Sequence, residues 1–311
     1  MITTVNSSLK KEHENPRLGP VGLRFRSILV ATDRSAASTT AVKLAARLAK
    51  EFHAKLYVLH SIMPELYAVN MGPFPMLDQM NLQSARENLR KYCEHIPDLR
   101  TVKHEEIVFL GSPGAAIESA SEANHVDLLV LGSHGRRGLA KLALGSVAEW
   151  AIRHLNYPVL VAGPQCDKTW RPIRSIVLAA DLSGEGLRSA QYASSIAQDY
   201  NARLTLVHVF PQAGTTKAPA VTEREIIEKL HQLLPSDAGE QCTLKFEVKT
   251  GEVAAEVVHS AQENRANIVV LSARHRSLLA HHALRTKLST IIGRALCPVL
   301  VVPAAPESAL T

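Results

Sequence analysis

Arg26-Ser27-Ile28-Leu29-Val30-Ala31-Thr32-Asp33-Arg34-Ser35 recurs later in the chain as Arg174-Ser175-Ile176-Val177-Leu178-Ala179-Ala180-Asp181-Leu182-Ser183, at an offset of 148 residues. The same offset carries Ala54-Lys55-Leu56-Tyr57-Val58-Leu59-His60 onto Ala202-Arg203-Leu204-Thr205-Leu206-Val207-His208. Beyond this point the offset becomes 140: Gly111 matches Gly251, Val130-Leu131 matches Val270-Leu271, and Pro158-Val159-Leu160-Val161 matches Pro298-Val299-Leu300-Val301. A constant register, one deletion and a second constant register are the mark of an internal duplication.

The length agrees, since 311 residues suit two domains at ~150 residues each. Residues 25–163 and 174–305 form the two expected domains, joined by a linker over 164–173 and flanked by a flexible leader over 1–24 and a tail over 306–311. An apolar share of 46% with 21% charged residues excludes a mostly disordered chain. The net charge of +6 is too small to argue nucleic-acid binding and suits anionic small molecules. Cys93, Cys166, Cys242 and Cys297 lie far apart in sequence and form no C-x-x-C knuckle, which predicts free thiols, a cytoplasmic location and no protein-held metal. Residues 1–20 lack the apolar core of a signal peptide, and no run is long enough to cross a membrane.

Each repeat alternates short β-rich runs with helical patterns. In the first, Ile28–Ala31 reads as a strand covered on both faces. Ala41, Leu44, Ala45, Leu48 and Phe52 then mark a helix. Leu56–Leu59 is the second strand, and Leu82, Ala85, Leu89 and Cys93 mark a second helix ended by Pro97. Ile107–Leu110, a helix after Gly111-Ser112-Pro113, Val126–Leu131, a helix over Ser146–His154 and Val159–Val161 complete the unit. In the second repeat, Ile226, Leu230 and Leu233 supply the second helix and Ile268–Leu271 the fourth strand. The predicted fold is α/β: two tandem Rossmann-like, doubly wound, five-stranded and mainly parallel sheets with helices on both faces. Pro64–Met80, rich in large apolar residues, is expected as a loop that covers a ligand, packs on the other domain or forms a dimer contact.

Open parallel sheets bind ligands at the carboxyl ends of their strands, where the winding reverses. In the first repeat these ends carry Ala31-Thr32-Asp33, His60-Ser61, Gly111 and Gly132. After the fourth strand comes Gly132-Ser133-His134-Gly135-Arg136-Arg137-Gly138, then Gly145-Ser146-Val147 at the next helix. Gly132 and Gly135 allow backbone amides close to a phosphate, and the helix start at Gly145-Ser146 favours an anion. Arg136, Arg137 and Lys141 add positive charge. No G-K-[ST] follows, so this is not a Walker A loop, and G-x-G-x-x-G is absent too. Asp33 is placed to accept from a ribose hydroxyl or an adenine amino group, and Asp33 and Ser35 can equally cap the first helix.

These residues resemble the nucleotide-binding members of the universal stress protein family, whose fold is of the adenine nucleotide alpha hydrolase-like type. The family pattern of glycine, two residues, glycine, nine residues, then glycine and serine or threonine is met by Gly132, Gly135 and Gly145-Ser146. The resemblance implies one ATP in the first domain, with adenine near Asp33 and the His60-Ser61 backbone, phosphates over the Gly132–Ser146 loop, and Mg2+ bound through those phosphates. It also implies an internal pseudo-dimer of the two domains through their final strands, with a homodimer as a further option.

The second repeat keeps Asp181 and Gly251 but replaces Gly132, Gly135 and Gly145-Ser146 by Ser272, His275 and Arg285-Thr286, so ATP binding is not expected there. Its segment from Ser272 to Arg294 has no acid and carries Arg274, His275, Arg276, Arg285 and Lys287, an anion patch or a solvated basic face. His60 and His208 read mainly as scaffold residues tied to backbone. The expected function is an ATP-binding stress-response or signalling protein with an unidentified partner, no catalytic residue and at most slow ATP hydrolysis. The competing readings are a non-nucleotide small-molecule binder or dimerisation module with a relict glycine loop, and an adenylating enzyme.

Overall fold

The computed structural model describes residues 25–63, 75–133, 144–166, 172–182, 186–211, 222–239, 242–273 and 287–304. They fall into two compact units, Phe25–Pro164 and one beginning at Gln165. The expected leader, much of the linker, the tail, and the glycine-loop residues His134, Gly135, Arg136, Arg137, Gly138 and Lys141 lie outside or largely outside the described residues.

In the first unit the elements follow as β1 (Ser27–Ala31), α1 (Ala36–Phe52), β2 (Lys55–Ile62), α2 (Pro75–Glu94), a 3-10 turn (Pro97–Thr101), β3 (His104–Leu110), α3 (Pro113–Asn124), β4 (Leu128–Gly132), α4 (Ser146–His154) and β5 (Val159–Ala162). The strand order is β3-β2-β1-β4-β5, and every described pairing is parallel. Right-handed crossovers place α1 and α2 on one face and α3 and α4 on the other. Helix packing follows that division: α1 and α2 share the 3-10 turn, and α3 meets α4.

The local chemistry explains the boundaries. Helix α1 is capped by Ser35, whose hydroxyl accepts from the Ser38 amide, and buries Ala41, Leu44, Ala45 and Leu48 on one stripe. It closes on His53 in the left-handed region, and Phe52 meets Phe25 edge to face at 5.3 Å. The strand interiors Ile28–Val30 and Leu128–Val130 are buried on both faces. Two boundaries differ from the sequence reading. The fourth strand starts at Leu128 because Val126 still closes α3, its amide donating to Ser121 O at 3.0 Å, while the Asp127 carboxylate accepts the amides of Arg26 (2.7 Å) and Ser27 (3.1 Å). Helix α2 starts at Pro75, so the end of the stretch expected as loop, residues 75–80, is helical. Proline at a helix start lacks only an amide that would be unpaired anyway. Residues 64–74 lie outside the described residues.

The second unit repeats the plan with β6 (Ser175–Ala179), α5 (Leu187–Asp199), β7 (Arg203–Pro211), α6 (Glu223–Gln232), β8 (Thr243–Gly251), α7 (Val253–Glu263), β9 (Ile268–Ala273) and β10 (Val299–Pro303). Residues 287–294 are also helical. Within the unit the strands run β8-β7-β6-β9-β10, again all parallel. Helix α6 opens with a full capping box between Thr222 and Glu225, and Leu233 is its C-cap rather than an interior residue.

The duplication extends to hydrogen bonds. Asn267 Oδ1 accepts the amides of Arg174 (2.8 Å) and Ser175 (3.0 Å), as Asp127 does in the first unit. Ser27 Oγ donates to Asn124 O and Ser175 Oγ to Asn264 O, both at 2.8 Å. Gly111 (φ +147°) and Gly251 (φ +158°) occupy matching positions at the ends of β3 and β8, in backbone geometry that a side chain would strain. All four cysteines are buried free thiols.

Candidate functional site

The first unit's winding reverses between the adjacent strands β1 and β4. A cavity of about 220 Å³ lies there, at the carboxyl ends of the strands. Its walls include Ala31, Thr32 and Asp33 from the end of β1, Leu59 and Ser61 from β2, Leu131 and Gly132 from β4, and Gly145, Ser146, Val147 and Ala148 at the start of α4.

Asp33 is held rather than loose. Its Oδ1 accepts the Ser35 amide at 2.9 Å and the Ser38 hydroxyl at 2.7 Å, so it steadies the start of α1 while lining the cavity. Ser38 Oγ is 3.0 Å from Thr32 Oγ1. Thr32 Oγ1 in turn accepts the Arg34 amide at 2.9 Å and donates to Tyr92 OH at 3.3 Å. This hydroxyl network stiffens the β1–α1 turn.

The start of α4 is built differently from that of α1. Its N-cap is Gly145, which supplies no side-chain acceptor. The Gly145 amide donates to Ser133 O at 2.7 Å, closing the base of the segment between β4 and α4. The amides of Ser146, Val147 and Ala148 have no hydrogen-bond acceptor among the described residues, and all three residues line the cavity. Three first-turn amides at the positive end of a helix, facing one cavity, form a cradle for an anionic group.

Of the residues expected at the site, Ala31, Thr32, Asp33, Ser61, Gly132, Gly145, Ser146 and Val147 come together around this cavity. His60, Gly111 and Ser133 do not line it. His60 is 7% exposed, and its Nδ1–H donates to Thr32 O at 2.7 Å. His208 repeats this with Ala180 O at 3.0 Å, so the histidine pair is scaffold in both units. The Gly111 amide donates to Ile62 O at 2.8 Å. Ser133 is 1% exposed, and its amide bonds Ala162 O at 2.9 Å. His134, Gly135 and Arg136 lie outside the described residues, as do Arg274, His275, Arg276 and Arg285 of the basic segment, whereas Lys287 of the same segment is described.

Gly132 lines the cavity, and its lack of a side chain has a packing reason as well. A Cβ on Gly132 would stand 2.8 Å from the backbone carbon and oxygen of Ala37 and 3.0 Å from the Ser38 amide nitrogen. Its bareness lets β4 pass close beneath α1. Sequence reasoning missed Ser38, Leu59, Pro113, Leu131 and Ala148 as cavity residues. Leu59 and Leu131 could have been found, since each directly precedes or sits one residue from a strand-end position already named.

Among the described residues, no helix is long and apolar enough to cross a membrane. Fold and site together define a chain of two doubly wound parallel α/β units, the first with a polar-ended cavity at its topological switch point. The model of the universal stress protein family matches residues 24–163 and again 172–303. The chain belongs to the universal stress protein family, with two of its domains in tandem. A universal stress protein of Methanocaldococcus jannaschii is 31% identical over 139 residues, 44% of this chain and 81% of that protein. One from Bacillus subtilis is 31% identical over 146 residues, 44% of this chain and 98% of the relative. The crystal structure of a universal stress protein from Archaeoglobus fulgidus superposes with a TM-score of 0.67 at 20% identity, covering 93% of this chain and all of that one, which is a likeness of fold.

Proposed function

We propose that the first unit binds one ATP and that the chain acts as a nucleotide-dependent stress-response or signalling protein, with the second unit in a supporting or dimerising role. The observation that carries this reading is the convergence of Ser146, Val147 and Ala148, whose amides have no acceptor among the described residues, with Asp33 and Ser61 on a single cavity. Ribose and phosphates demand those two chemistries at opposite ends of one ligand: a carboxylate for hydroxyls, and main-chain donors for negative charge.

The cavity is smaller than the ~300–1,000 Å³ common for whole ligands, so it suits the nucleoside, with the phosphates running over the start of α4. Leu59, Pro113 and Leu131 give the base an apolar wall. Mg2+ would enter bound through the ATP phosphates, and the Ser146 hydroxyl adds a donor beside its amide at the start of α4. The reading assigns no catalytic residue, and ATP turnover is expected to be slow at most. On this reading the second unit does not bind ATP, since its sequence has Ser272, His275 and Arg285 where the first unit has glycines. The reading also includes association of the two units as an internal pseudo-dimer, on the strength of their duplicated sequence.

Identification of nucleotide extracted from the purified full chain, followed by calorimetric titration of the stripped protein with ATP and Mg2+, tests the proposal. One equivalent of ATP is expected. A protein that purifies empty and gives no heat with ATP favours the relict-loop reading, and two equivalents per chain would overturn the one-site assignment.

A further inference from the structure

Cys93 lies in the last turn of α2, His104 is the first residue of β3, and Glu106 follows two residues later. The pleat puts His104 and Glu106 on the same face of β3. Helix α2 packs against β3, and one ligating atom from each of the three residues lies within 4.8 Å of the other two. His104 Nε2 is 3.8 Å from Glu106 Oε1. His104 Nδ1 is 3.1 Å from Val102 O, to which only a protonated nitrogen can donate. That bond fixes the tautomer in which Nε2 presents its lone pair to the cluster, the usual outer support of a metal-bound imidazole.

We propose that Cys93, His104 and Glu106 form a zinc-type metal site with a fourth position open to solvent. One thiolate, one imidazole and one carboxylate are a borderline-soft donor set that suits Zn2+ better than Mg2+ or Ca2+, which take oxygen ligands. Bonds of ~2.0–2.3 Å in a tetrahedron put donors roughly 3.3–3.8 Å apart, so the cluster needs to contract by only about 1 Å. On binding such a cation the thiol gives up its proton, so uptake of the metal by Cys93 is expected to weaken at acid pH. Glu106 is exposed and His104 half-buried, and among the described residues β3 pairs with β2 alone, which leaves a path for entry.

The duplicate unit supplies an internal contrast. The register Leu56↔His104 in the first unit corresponds to Leu204↔Leu244 in the second, so Leu244 and Phe246 occupy the positions of His104 and Glu106. There Phe246 is 4% exposed and serves packing. The first unit carries ligating groups where the same fold is satisfied by hydrocarbon. The site lies at the amino end of β3, away from the nucleotide cavity at the carboxyl ends, and does not depend on the proposed ATP binding.

The test uses the full chain, stripped with a chelator and titrated with Co2+ alone, then with Zn2+ as competitor. One equivalent of Co2+ with a thiolate-to-cobalt charge-transfer band, displaced by Zn2+, is expected. Cys93→Ser should abolish the band. His104→Leu and Glu106→Gln should each weaken Co2+ binding at least about tenfold, with circular dichroism and the melting transition kept. Because His104→Leu installs the residue that the second unit uses, it tests ligation without emptying the packing. Absence of the band in the wild type, its survival in Cys93→Ser, or unchanged affinity in both His104→Leu and Glu106→Gln would overturn the proposal.

Discussion

The Gly145 amide donates to the Ser133 carbonyl at 2.7 Å, so the chain leaving β4 and the chain entering α4 are tied at their bases. The bond takes the N-cap amide out of ligand binding and hands that role to the next three residues. It also fixes where α4 begins relative to β4, and therefore where the helix aims its positive end.

Ser146→Pro separates ligand binding from folding. Ser146 is the first helical residue of α4, and Gly145 has φ −63° and ψ 148°, the extended geometry required before a proline. Stability should stay within ~0.5 kcal/mol of wild type in denaturant unfolding. ATP affinity should fall roughly 10–100-fold in calorimetry, because a hydrogen bond to a charged group contributes about 1.5–3 kcal/mol.

Gly132→Ser copies the residue the second unit carries at Ser272. The new Cβ meets the Ala37 backbone at 2.8 Å, and backbone cannot step aside as a flexible side chain can. The expected cost is about 1–3 kcal/mol, with loss of ATP binding. Ser272→Gly should change stability by less than ~1 kcal/mol. Equal effects of the two substitutions in thermal melts would show that Gly132 is not a packing position.

Asp33→Ala removes the acceptor for the Ser35 amide and the Ser38 hydroxyl and should destabilise by about 1–3 kcal/mol. Asp33→Asn keeps an oxygen at that place and should fold with a loss under ~1 kcal/mol. If Asp33 also serves the ribose, both variants weaken ATP binding, and the asparagine variant does so without a matching loss of stability.

Asp127→Asn should be tolerated, because Asn267 makes the same pair of amide contacts in the second unit. Burial is the largest influence on the Asp127 carboxyl and raises its pKa above the ordinary value, against the lowering effect of the Arg26 and Ser27 amides. A carboxyl with a raised folded-state pKa binds its proton more tightly when folded, so the penalty for ionising it is absent below the unfolded-state pKa and complete above the folded-state one. Urea midpoints measured across the acid range should therefore show the wild type losing ground to Asp127→Asn as pH rises through that window. A difference between the two proteins that is flat in pH would contradict this.

Much of the site was legible because strand ends can be read from apolar runs. Ile28–Ala31 and Val126–Leu131 announce buried parallel strands, although the second begins two residues later in the structure, and the residues after them must surface at the switch point. Ser38 was not legible, since a serine inside a helical stretch gives no sign that it faces the strand ends. Tyr92 was equally hidden: its hydroxyl is 2.9 Å from Thr39 Oγ1 and accepts from Thr32 across sixty residues of chain. The Pro64–Met80 stretch was misread over residues 75–80 because its prolines argue for breaks, whereas Pro75 starts a helix.

The sequence alone determined the duplication, the order of strands and helices, and the surfacing of Asp33 and Gly145-Ser146 together, because periodicity and repeat register are properties of the chain read along its length. Only the tertiary structure decided that Gly132 is bare to admit α1 and that Cys93 meets His104 and Glu106. Such approaches depend on distances across elements, and those are set by packing rather than by spacing along the backbone.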